Sequence, residues 1–186
     1  MSFNVLVVPE DPSHNGYILK PLVVRMLAEC GRGNAKVDVL TNPRAQGYAH
    51  AKELLRGALL ERYRHKDLLL FLVDADGKDR RSEFLNLEEE AASRGVRLLC
   101  CAAEQEVEVW LLAGHRHRLD QGWQEVRAEV SVKERIFAPF LAAYGDRRRA
   151  GGGRDLLMKE TLVNYGALLQ LCPELAGLER RLRGDW

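Results

Sequence analysis

Glu10, Asp74, Asp76, Glu104 and Glu108 each fall where a buried-looking apolar run gives way to polar sequence. Glu10 follows residues 3–8 in Val-Val-Pro-Glu. Asp74 and Asp76 follow residues 68–73 in Val-Asp-Ala-Asp-Gly. Glu104 and Glu108 lie just past residues 96–102. Carboxylates gathered in one place repel one another, so the arrangement is costly unless a divalent cation neutralises it. An all-oxygen donor set suits magnesium (Mg2+) or manganese (Mn2+). No histidine or cysteine lies in the cluster, which disfavours zinc. Such an ion can hold phosphate oxygens, lower the pKa of a water and stabilise the charge of a phosphoryl-transfer transition state.

These residues need a scaffold that brings distant segments to one edge. Residues 68–73, LLLFLV, form an unbroken apolar run, the pattern of a parallel strand covered on both faces. Similar strands are predicted at 3–8, 36–40 and 96–102, with helices at about 17–30, 48–64 and 82–93 between them. The order β-α-β-α-β-α-β with short links predicts a parallel four-stranded sheet with right-handed crossovers. Ligands of such sheets bind at the carboxyl ends of the strands, where Glu10 and Asp74 emerge. Strand alternation places Asp74 and Asp76 on one face of an extended tip, close enough to share a cation.

Residues 104–113, EQEVEVWLLA, change to a helical pattern with Val107, Trp110 and Leu111 inward. Glu104 and Glu108 then share a helical face, and Glu106 points elsewhere. Helices are expected at about 132–144, 156–171 and 174–183. The Arg/Gly run 147–154 is expected to be an exposed, flexible loop. The organisation is an α/β domain over 1–114 and a helical extension over 115–186 packed on it.

At 186 residues and 46% hydrophobic content the chain is long enough for an ordinary core. Residues 1–114 carry 15 basic and 17 acidic side chains, and residues 115–186 carry 13 and 10. That asymmetry is too slight to predict a polyanion partner by itself. No apolar run approaches the ~18 residues of a membrane span, and the amino terminus lacks a basic leader, so no membrane association and a cytoplasmic location are expected. The four cysteines are scattered without metal-ligand spacing and are expected to be reduced. Lys78 could hold a phosphate, and Arg147, Arg148 and Arg149, with Arg154, could contact a nucleic-acid backbone through charge; a solvated turn and linker explain them equally well. His14, His115 and His117 are expected to sit in solvated or basic loops.

The glutamate after the first strand and the Asp-x-Asp after the third resemble the Toprim domain of topoisomerases, bacterial primases, small ribosomal-RNA-maturing nucleases and OLD-family nucleases. Glu108-Val109-Trp110-Leu111-Leu112-Ala113 resembles the Glu-Ala-Trp-Leu-Leu-Ala segment of a group of small Toprim-like proteins, several associated with ATPases in bacterial antiviral defence. The resemblance covers residues 3–114. It implies a Rossmann-like sheet, Glu10 as metal ligand and general acid or base, and Asp74 and Asp76 as magnesium ligands, with Glu108 favoured as a further one. The implied activity is a metal-dependent nuclease cutting DNA or RNA, with an ATPase partner and self-association compatible with the small size. Asp11-Pro12 stands where the family usually has glycine. That departure favours the alternative, a non-catalytic Toprim-like subunit docking to an ATPase.

Overall fold

The computed structural model describes residues 2–184, so Trp186, read from sequence as an exposed or partner-contacting terminus, lies outside the described residues. Strands β1 (Asn4–Pro9), β2 (Lys36–Val39), β3 (Leu68–Asp74) and β4 (Leu98–Ala103) form one all-parallel sheet in the order β2-β1-β3-β4. Val8 pairs with Phe71, and Asp74 pairs with Ala103, so the sheet's central pair is β1 and β3. From β1 the chain crosses outward to β2. From β3 it crosses the other way to β4. The direction of winding therefore reverses between β1 and β3, the position where open parallel sheets leave a crevice at their carboxyl edge.

The expected α/β architecture is present, with helices on both faces. Helix α1 (Gly16–Glu29) follows β1. Helix α2 (Tyr48–Leu54) runs on through a π-helical stretch, Leu55–Leu59, into the short α3 (Leu60–Arg62), and α4 (Arg81–Ser93) follows β3. The two parities of β3 face different cores. Leu69, Phe71 and Val73 pack with Leu6, Val8 and the helices α2 and α4. Leu68, Leu70 and Leu72 pack with Val5, Val7, α1 and the carboxy-terminal helices. Every residue of β3 is buried, which is why its sequence carries no polar alternation.

The carboxy-terminal part comprises α5 (Glu108–Leu112), a 3-10 turn (Ala113–Arg118), α6 (Trp123–Ala128), a π-helical turn (Lys133–Phe137) leading into α7 (Ala138–Tyr144), α8 (Arg154–Val163), α9 (Tyr165–Leu171) and α10 (Pro173–Gly184). Its residues Val126, Met158, Leu168, Leu175 and Leu182 belong to the same apolar cluster as β1 and β3. Glu174 at the start of α10 accepts from Trp110 Nε1 at 2.9 Å and from both terminal nitrogens of Arg127 at 2.7 and 3.0 Å. No helix among the described residues is long and apolar enough to cross a membrane.

Three expectations are corrected here. The single helix over 156–171 is two helices, because Asn164 leaves helical geometry and its side chain accepts from Ala167 N–H at 3.2 Å as a cap. The run 147–154 is not a loose linker: Gly151 has φ +68 and lies against the Tyr17 ring where a Cβ would sit, while Gly153 is buried. His115 is not a basic-loop residue. It is 1% exposed, its Nε2 lies 2.9 Å from the Leu157 carbonyl, and burial pulls its pKa down.

Candidate active site at the switch point

Because the β3 register alternates, Asp74 continues the parity of Leu68, Leu70 and Leu72 towards the layer of α1 and α5. Glu10 leaves β1 one step beyond Pro9. The two meet: the Asp74 N–H donates to Glu10 Oε1 at 3.2 Å, and both residues are buried. On its other side, Asp74 Oδ1 accepts from Val107 N–H at 2.8 Å, the peptide that opens α5. The next residue, Glu108, is fully buried, and neither of its carboxylate oxygens has a hydrogen-bond partner. Glu10, Asp74 and Glu108, from three separate segments, thus form one buried acidic group.

The electrostatics follow from that burial. The Asp74 carboxyl is pushed up to about 9, first by desolvation, then by its hydrogen bond to the Glu10 side chain and the Glu10 charge. Glu108 is also raised, by burial and then by Asp74, against the pull of Lys133. Glu106 rises to about 7 through burial, with Glu108 and Asp74 adding to it. Lys133 holds the opposite charge beside them: its Nζ is 3.8 Å from Glu108 Oε1, and its N–H donates to Glu106 Oε2 at 2.7 Å. Burial pulls the Lys133 ammonium down, but Glu108, Asp11, Glu106 and Asp74 outweigh it and its pKa ends up raised.

The other sequence candidates fall around this group. Asp76 does not extend the strand. The tip turns at Ala75, where Lys78 N–H donates back to the Ala75 carbonyl, and Asp76 takes φ +51. It ends up exposed, 3.6 Å from Arg80 and off the buried face, so the shared face expected from alternation is not formed. Glu104 and Glu108 do not share a helical face, because α5 begins only at Glu108. Glu104 pairs with Arg127 instead, and Glu106, expected to point elsewhere, lies beside the acidic group. Lys78 is exposed on the turn. Arg148 pairs with Asp146 and Arg149 with Asp155, while Arg147 lines a cavity with Lys133 and Arg154. His14 sits 3.6 Å from Asp11 on the surface.

Lys133 is not singled out by the sequence, and Arg154 is expected there only as a charge that could contact a nucleic-acid backbone, not as a neighbour of Glu108. Lys133 and Arg154 both act electrostatically on Glu108, although they lie 25 and 46 positions beyond it (133 − 108 and 154 − 108). No local pattern marks them, since each looks like an ordinary polar position at the start of a helix.

The donor chemistry fits a hard divalent cation: three carboxylates, one with both oxygens unpartnered and one pushed far out of its ionising range, in a place that water scarcely reaches. Among the described residues, no three His, Cys, Asp or Glu side chains are already drawn together at ligand spacing. A proton on Asp74 and the ammonium of Lys133 offset the charge in the geometry described. No family model matches the chain, and searches of curated proteins and of solved structures return no significant match.

Proposed function

We propose that this protein is a magnesium- or manganese-dependent phosphodiesterase acting on nucleic acid, with its reaction centre at Glu10, Asp74 and Glu108. The observation that carries the reading is the convergence of three buried carboxylates at the winding reversal of a parallel sheet, with Glu108 lacking any hydrogen-bond partner. When bound, the ion would neutralise phosphate charge and lower the pKa of a water. The chain's own groups do the rest. The Asp74 N–H orients Glu10 through Oε1. The Val107 N–H fixes Asp74 through Oδ1. Glu10, Asp74 and Glu108 would hold the ion, Asp74 as its carboxylate with its proton released to solvent, and Lys133 beside Glu108 would supply a positive charge for a substrate phosphate. Asp76 and Lys78, at the exposed rim, contribute to binding rather than to chemistry.

A second reading, a non-catalytic subunit, draws on one observation: the Asp74 proton and Lys133 already compensate the acidic group without a metal. The two are separated by incubating wild type, Glu10→Gln and Asp74→Asn with single- and double-stranded DNA and RNA in magnesium or manganese. Cleavage by the wild type and its loss in both variants supports the phosphodiesterase. No cleavage by the wild type, or full cleavage by Asp74→Asn, overturns it.

A further inference from the structure

Beside the acidic group, where the π-helical turn at Lys133 faces the start of α8, a cavity of about 330 Å³ opens to solvent. Lys133, Arg147 and Arg154 line it together with the single carboxylate of Glu134, a local balance of +2 (three cations less one anion). Leu141 and Ala142 supply an apolar wall. The basic groups are not idle surface charge. Lys133 reaches Glu108 at 3.8 Å, and the Arg154 guanidinium lies 5.3 Å over the Phe137 ring with its buried Nε unpartnered. Both cations act on Glu108, so the cavity and the carboxylates are electrically one site. Arg154 is anchored by one terminal nitrogen, which donates to the Gly151 carbonyl at 2.8 Å, while its buried Nε has no hydrogen-bond partner. A guanidinium fixed in this way beside the Lys133 ammonium is suited to an anionic phosphate, and the Leu141 and Ala142 wall to a flat apolar surface such as a base.

We propose that this cavity is the substrate subsite next to the reaction centre, taking one unpaired nucleotide, with its phosphate on Lys133 and Arg154 and its base against Leu141 and Ala142. The inference rests on the phosphodiesterase reading and narrows its substrate to single-stranded nucleic acid or frayed ends. A base within a duplex is stacked and paired, and cannot enter a cleft of this size without being extruded.

The test is metal-free binding, which keeps it apart from cleavage. A short fluorescein-labelled single strand and the matching duplex are titrated with the full chain in EDTA and read by anisotropy. The single strand is expected to bind more tightly than the duplex. Lys133→Ala and the cavity-filling Ala142→Trp are each expected to weaken it about tenfold. Ala142 is exposed, so its variant keeps the fold and guards against a misfolded Lys133→Ala. Equal binding of strand and duplex, or unchanged affinity in Ala142→Trp, overturns the subsite. Intact metal-free binding without cleavage in manganese would instead overturn the phosphodiesterase reading and leave the subsite standing.

Discussion

The Asp74 amide donates to Glu10 Oε1 at 3.2 Å, so the side chain that ends β1 is oriented by the last peptide of β3. The acid of one strand is thereby built into the backbone of its neighbour. Asp74 is in turn fixed by Val107 N–H at 2.8 Å. Glu10 and Asp74 are thus each positioned by a peptide of another segment, whereas Glu108 has no such tie.

Asp74→Asn separates stability from chemistry. Burial and the neighbouring Glu10 push the Asp74 carboxyl well above the usual carboxylate range, favouring its neutral form, for which an amide is a near-isosteric substitute. Unfolding midpoints in urea at pH 7 are expected to differ from wild type by less than about 1 kcal/mol in stability. Cleavage is expected to fall at least ~100-fold. A large loss of stability would mean that Asp74 is ionised in the native state.

Stability should fall with rising pH in the absence of metal. Asp74 and Glu106 have folded-state values of about 9 and about 7, above those of an unfolded chain. The folded state therefore holds more protons than the unfolded state between about pH 4 and 9, and stability declines through that window. Each kcal/mol lost lowers the melting temperature by about 2–4 °C at this chain length. Magnesium competes with those protons, so its stabilising shift is expected to be larger at pH 8 than at pH 6. Thermal melts at both pH values, with and without the ion, measure it; an equal or reversed shift contradicts the metal site.

Glu108→Gln removes a buried charge whose oxygens have no hydrogen-bond partner. Above pH 7 and without metal the variant is expected to melt no lower than wild type, because the desolvation cost of a buried carboxylate without a hydrogen bond outweighs its attraction to Lys133 at 3.8 Å. The magnesium-dependent shift is expected to vanish with it. Differential scanning fluorimetry reads both, and a persisting shift would take Glu108 out of the ligand set.

Asp76→Gly tests the rim. Its φ of +51 costs an ordinary residue about 1–2 kcal/mol, which glycine avoids. The lost pairing with Arg80 is exposed and worth no more than about 1 kcal/mol. Stability is therefore expected to hold or rise slightly, and cleavage to drop less than about tenfold, since Asp76 is outside the buried group. A loss as large as that of Asp74→Asn would return Asp76 to the reaction centre.

The sheet and the end-of-strand acids were legible because they depend on local signals. An unbroken apolar run means a strand buried on both faces, and a carboxylate directly after it lands at the sheet edge. Asp76 was misplaced by extending strand alternation past the last strand residue, where Asp76 and Gly77 turn the chain with positive φ. Glu104 and Glu106 exchanged roles for a related reason: the helical pattern was read from residue 104, and the helix starts at 108. Lys133 and the burial of His115 were not legible, and Arg154 was legible only as a basic residue, not as a neighbour of Glu108. Their surroundings are supplied by distant helices, and nothing in their immediate sequence reports it.

The hydrogen bond from Asp74 to Glu10 joins residues 64 positions apart, and the cation that faces Glu108 comes another 25 positions on (133 − 108). On a growing polypeptide the acids of this site are strangers to one another until most of the chain has been made. All three acids precede Lys133 in the chain, so the cation that offsets Glu108 is added only after the last of them. The order of synthesis thus leaves the acidic group without its offsetting cation until residue 133 has been added.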